Sequence, residues 1–202
     1  MAVSESRARA VDAFLDAAER LLIEVGYAGI TTRRLAREAG ANQGLVHYYF
    51  GSMDELLVRV LERFTERLIR RQREMYARDV PFLEKWRTAM HYIGEDLASG
   101  YPKVHYELQA LAWNRPELRE RIAHVNEEWR AVLTDAFTAA IDEYGVDRDE
   151  FPVDAVVAMV MTFNQGLLLE RLSGIDHGHR ELLAWIDGSL ESLQSRRDRR
   201  KR

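Results

Sequence analysis

Residues 31–50 read TTRRLAREAGANQGLVHYYF. Two short helical segments, Thr32 to Ala39 and Asn42 to about Tyr49, meet at Ala39-Gly40-Ala41. That connection is too short for antiparallel packing and suits a crossed pair. In the first segment Leu35, Ala36 and Ala39 face inward, and the two alanines let the second helix approach closely. Arg33, Arg34 and Arg37 face largely outward, and Gly40 permits the turn. The pattern is that of a helix-turn-helix, in which the second helix enters the DNA major groove while the first crosses the backbone. Its exposed residues would be Asn42, Gln43, Gly44, His47 and Tyr48, all able to reach base edges or phosphates. Leu45, Val46 and Phe50 read as anchors.

Helical period extends outward in both directions. Val11, Phe14, Leu15, Ala18, Leu21, Leu22 and Val25 form one stripe, ended by Gly26 as a C′ residue. Asn42 is placed to cap the recognition segment, and Ser52-Met53-Asp54-Glu55 reads as a capping box opening a long helix to about Ala77. Beyond the break at Asp79-Val80-Pro81, helices are expected at about 81–99, 103–113, 115–144, 153–173 and 179–197. No alternating segment reads as a strand. The fold class is all-α, with about nine helices.

Composition narrows the function. The chain has 202 residues, 47% apolar and 31% charged, enough to bury a real core. The absence of Cys removes disulfides, thiolate metal sites and cysteine nucleophiles together. No apolar run approaches the roughly 18 residues that cross a bilayer, and the N-terminal MAVSESRARAVDAF lacks the apolar stretch of a signal peptide. The chain therefore reads as cytoplasmic, with no membrane partner. Net charge is −4, but the tail from Arg196 to Arg202 holds six basic residues and one acid, so the body is acidic. An acidic body implies a local DNA-contacting patch rather than a nonspecific nucleic-acid coat. Residues 198–202 form a basic tail beyond the C-terminal domain.

The first third of the chain resembles the TetR (tetracycline-repressor) family of bacterial regulators. The matching residues are Ala17-Ala18, Leu21, Gly26-Tyr27, Thr31-Thr32, Leu35-Ala36, Ala39-Gly40, Gly44 through Phe50, Gly51-Ser52 and Glu55-Leu56. The resemblance implies a DNA-binding domain over 8–68, with the helix-turn-helix at 31–50, and a ligand-binding and dimerisation domain over 79–197. It also implies DNA contacts from Thr32 and Arg33 on the second helix and from Gln43, Gly44, His47 and Tyr48 on the third. His47 stands where the family usually has Tyr, Tyr49 where it has His, and Met53 where it often has Lys, so base preference does not transfer.

Segment 153–173 is apolar on nearly every side, and Leu182, Leu183, Trp185, Ile186, Leu190 and Leu193 give the last helix a second stripe. A four-helix bundle with a second copy would bury both, and the resemblance implies the same pair of helices at the interface. The expected interface residues are Val157, Met161, Leu168, Leu172, Leu182, Trp185, Ile186 and Leu190. The alternative is that both helices complete a monomeric core. A family ligand pocket would lie among helices 81–144, with Trp86, Met90, Tyr101, His105, Gln109, Trp113 and Trp129 as candidates and Asn164 as a polar interruption of the apolar helix.

No catalytic residue is expected: HExxH, G-x-S-x-G and a Gly-rich phosphate loop are all missing, and no cofactor is implied. Asp176-His177-Gly178-His179 reads as cap and turn residues, not a metal site. The sequence thus points to a homodimeric transcriptional regulator that acts as a repressor, not an enzyme. Its partners would be double-stranded DNA carrying a palindromic operator and an unidentified, mostly apolar effector that releases it, with the nucleoid as its bacterial location when bound. The competing readings are an activator or architectural DNA binder of the same fold, and a helical ligand-binding protein whose DNA module is vestigial.

Overall fold

The computed structural model describes residues 2–200, and among them nine α-helices and one 3₁₀ turn form the entire regular structure. They are α1 (Ala2–Val25), the 3₁₀ turn Tyr27–Gly29, α2 (Thr32–Glu38), α3 (Gly44–Phe50), α4 (Met53–Tyr76), α5 (Phe82–Ser99), α6 (Tyr101–Ala112), α7 (Pro116–Tyr144), α8 (Val153–Leu172) and α9 (His179–Arg200). The helical periodicity located every one of these helices. The 3₁₀ turn was not anticipated, and α9 continues through Asp198, Arg199 and Arg200 of the basic tail. Lys201 and Arg202 lie outside the described residues.

The chain groups into two compact units. The first comprises the chain through Arg67 together with Gly100–Asn126; the second comprises Leu68–Ser99 and the chain from Glu127 onward. The whole of α6 therefore groups with the N-terminal helices, although sequence reading had placed it with the C-terminal ones.

In the first unit, α1 packs against α2 and α6. Phe14, Leu22, Leu35, Val46, Leu56, Leu61, Val104 and Leu108 are fully enclosed. Ion pairs run along the outside of this core: Arg63 holds Asp16 at 2.8 Å and Glu19 at 3.1 Å, and Arg121 holds both Glu55 and Glu62. The end of α1 depends on one glycine. Gly26 has φ +71°, its N–H donates to Leu22 O at 3.0 Å, and the next amide, Tyr27 N–H, donates to the Glu107 carboxylate at 2.5 Å. A Cβ at position 26 would sit 2.6 Å from Glu107 Oε1. Gly26→Ala is therefore expected to cost about 1–3 kcal/mol, through left-handed strain plus loss of that carboxylate's fit. Chemical denaturation reads it as a lower midpoint at unchanged slope.

The second unit is built around Phe82, Trp86, Leu133, Phe137, Tyr144, Val157 and Val160, from α5, α7 and α8. Ile186, Leu190 and Leu193 of α9 pack against this cluster, half-buried. Arg87 of α5 forks onto Asp187 of α9 at 2.9 and 2.7 Å. The outer sides of α8 and α9 remain apolar: Met159 is 65% exposed, Leu169 51%, Leu172 41% and Trp185 70%. One expected interface residue is corrected, because Val157 is only 1% exposed and belongs to the unit's own core. A second correction concerns α8, which is long and apolar enough, by length and composition alone, to cross a membrane. Its run is interrupted by Thr162, Asn164 and Gln165, which are polar without carrying charge.

Candidate nucleic-acid interface and effector cavity

The helix-turn-helix is held by specific caps. Thr31 Oγ1 accepts the Arg34 N–H at 3.1 Å at the start of α2, and Gly40, at φ +62°, turns the chain after it. Ala41 N–H then donates back to Ala36 O at 2.9 Å. Asn42 does not begin α3 as expected. Its Oδ1 accepts the Gly44 N–H at 2.9 Å, a local turn that delays the helix to Gly44.

Of the face expected to meet DNA, Asn42, Gln43, Gly44, His47 and Tyr48 are all exposed, Tyr48 by 70%. Arg33 is exposed and Thr32 half-buried. Val46 and Phe50 are buried beneath them, and the Phe50 ring meets Phe14 edge-on at 6.1 Å. Tyr48 packs edge-on against Tyr49 at 5.0 Å, and the Arg7 guanidinium lies 5.9 Å from the Tyr49 ring centre. Arg7 was not singled out in the sequence, where nothing separates it from other charged residues of α1. His47 Nδ1 lies 3.0 Å from Gly51 O. A carbonyl can only accept, so the neutral ring carries its hydrogen on Nδ1 and keeps Nε2 as an acceptor. The only acid in this stretch, Glu38, pairs with Arg20 at 3.2 Å, leaving the arginine face uncompensated by its own segment. Ser52 Oγ accepts the Glu55 N–H at 3.1 Å, one half of the expected capping box, while the Glu55 carboxylate is engaged by Arg121.

The eight expected pocket residues do not form one cluster. Trp86, Met90, Trp129 and Asn164 line a narrow cavity of about 50 Å³ within the second unit. Tyr101, His105 and Gln109 belong to the first unit. There Tyr101 Oη lies 3.0 Å from Thr65 Oγ1, and burial lowers the His105 imidazole to about 4, holding it neutral. Trp113, at the end of α6, is 66% exposed. The four-residue spacing of His105, Gln109 and Trp113 identified their common helix, but not the unit to which that helix belongs.

Among the cavity residues that the sequence did not single out are Gln72 and Tyr76 of α4. The signal was present: Thr65, Leu68, Ile69, Gln72 and Tyr76 share the inner stripe of that helix, where polar groups need a reason. Gln72 is 8% exposed, and neither its Oε1 nor the Oδ1 of Asn164 has a hydrogen-bond partner. Tyr76 and Val132 also line a wider cavity of about 250 Å³, where Arg73, Lys85, Asp135 and Glu143 provide the charged lining. Burial pushes the Tyr76 hydroxyl up to about 12, so it stays protonated. Glu143 is held by Arg197 at 2.8 Å and by the Phe82 N–H at 3.2 Å.

An exposed polar helix on a helix-turn-helix, in a chain whose second unit encloses cavities, is the arrangement expected of a DNA-binding regulator. Residues 14–60 match the family of bacterial regulatory proteins, tetR family. The chain is 22% identical over 168 residues to the HTH-type transcriptional regulator YfiR of Bacillus subtilis, covering 78% of each chain. Its fold matches the Bacillus subtilis transcriptional regulator FadR, solved in complex with stearoyl-CoA, with a TM-score of 0.70 at 19% identity over 90% of this chain and 96% of that one. It also matches a Saccharomonospora viridis protein solved in complex with choline, with a TM-score of 0.71 at 19% identity over 94% and 95% of the two chains. At these identities the two structures speak for the fold.

Proposed function

We propose that the protein is a homodimeric repressor that binds a palindromic operator in the bacterial cytoplasm and is released by a mostly apolar small molecule. The observation that carries this reading is the recognition helix and the turn that leads into it: five polar or small residues, Asn42 and Gln43 before α3 and Gly44, His47 and Tyr48 on it, are exposed above a buried Val46 and Phe50. A single module with a few phosphate contacts binds weakly and in a salt-sensitive way, so two half-sites read by a symmetric pair are needed. The exposed apolar residues of α8 and α9 supply that pairing surface. Leu172, Leu182 and Trp185 stand outermost, and Met161, Leu168, Ile186 and Leu190 are half-buried behind them. A second copy is also the occupant we assign to the exposed side of α8, in place of a membrane. The structural relatives solved with stearoyl-CoA and with choline support a ligand-responsive protein without naming its ligand.

Release requires the effector to favour one dimer geometry, since equal affinity for both shifts nothing. The proposed route is α4, one unbroken helix from Met53 to Tyr76 that carries two cavity-lining residues in its last turns. The test is a mobility-shift titration with operator DNA. Gln43→Ala and His47→Ala are each expected to weaken specific binding about 5- to 100-fold, the loss of a base contact worth about 1–3 kcal/mol, with the dimer intact. Unchanged retention in both variants would contradict the assignment of α3.

A further inference from the structure

The narrow cavity of the second unit has a lining without a charged residue: besides aliphatic groups it holds Tyr76, Trp86, Trp129, Phe137 and the two amides Gln72 and Asn164. Resting on the ligand-responsive reading, we infer that the effector is a neutral compound with a flat apolar body that buries a hydrogen-bond donor, a hydroxyl or N–H, against the Gln72 and Asn164 oxygens. Gln72 is more than nine-tenths buried, and the unpartnered oxygens of both residues are acceptors, so the group that completes them must donate. A carboxylate would bring only acceptors to two carbonyl oxygens, with no cation in the lining to offset its desolvation. The basic residues Arg73 and Lys85 line the neighbouring, wider cavity, where an anionic group would be better served. The indole and phenyl walls favour a ring over a flexible chain, and the cavity, about 50 Å³ in this structure, must widen to admit one. Because Gln72 lies on α4, the donor is recognised by the helix proposed to carry the signal.

Three probes of matched shape test this: 4-ethylphenol, its near-isostere 4-ethyltoluene, and the 4-ethylbenzoate anion. Binding to the full chain is followed by calorimetry and by tryptophan fluorescence, since Trp86 and Trp129 line the cavity. 4-Ethylphenol is expected to bind about tenfold or more tighter than either of the others. Gln72→Met and Asn164→Leu, each with helicity checked by circular dichroism, are expected to erase the preference for the phenol over the toluene. Equal binding of phenol and toluene, strongest binding of the benzoate, binding of none of the three, or a preference surviving both substitutions would overturn the inference. Operator binding is measured on the same preparation. Retained operator binding without discrimination refutes the cavity chemistry alone, whereas discrimination without operator binding refutes the regulator reading.

Discussion

Trp185→Glu is expected to turn the protein into a monomer and to lower its affinity for a two-half-site operator by about 100- to 10,000-fold, the range by which linked binding exceeds a single site. Trp185 is 70% exposed on α9, and Met159, Leu169, Leu172 and Leu182 of α8 and α9 are also large, apolar and open. Burying each such side chain contributes about 1.5–3 kcal/mol, so the pairing surface is strong only if it is continuous and uncharged. A carboxylate within it must be desolvated without a partner. Because Trp185 is so exposed in the single chain, the substitution leaves the chain's own core intact. The monomer should therefore keep its helicity and melt cooperatively. Light scattering gives the mass, and anisotropy titration gives the affinity. A variant that stays dimeric, or a monomer that retains full operator affinity, would contradict the assignment of α8 and α9.

The second large effect is on stability. Burial lowers His105 to about 4 from the usual 6.5, so the folded state holds the ring neutral where the unfolded chain would protonate it. Between these two values the unfolded state binds more protons, and stability falls as pH drops from about 6.5 towards 4, flattening below. The largest loss from this one group is about 3 kcal/mol, the product of the shift and the energy of a pH unit. Urea unfolding at a series of pH values checks the sign. His105→Phe should flatten the dependence in that window, and an unaltered slope in the variant would show that other groups carry it.

The short-range features were legible in the sequence because each is written locally. The two alanines, Gly40 and the spacing of Leu35, Val46 and Phe50 determined the crossed pair, and the α3 face emerged with the exposures expected of it. What escaped was non-local. Nothing near Tyr101 or His105 records that α6 groups with the N-terminal helices, held by Thr65 and by Lys103 Nζ donating to Ile23 O at 2.8 Å. The pocket therefore looked larger in sequence than the four residues that share it. Val157 shows the same limit: on a helix apolar all round, periodicity cannot separate the side that meets the chain's own core from the side left for a partner.

In the proposed function, a symmetric pair of these chains places two α3 helices on successive major grooves of one duplex. The decisive experiment is repeated selection of bound fragments from a random DNA pool with the purified full chain. The expected product is an inverted repeat whose half-sites lie about one helical turn apart or a multiple of it, bound by an even number of chains. Enrichment of single, unrepeated sites, or no enrichment over the starting pool, would contradict it.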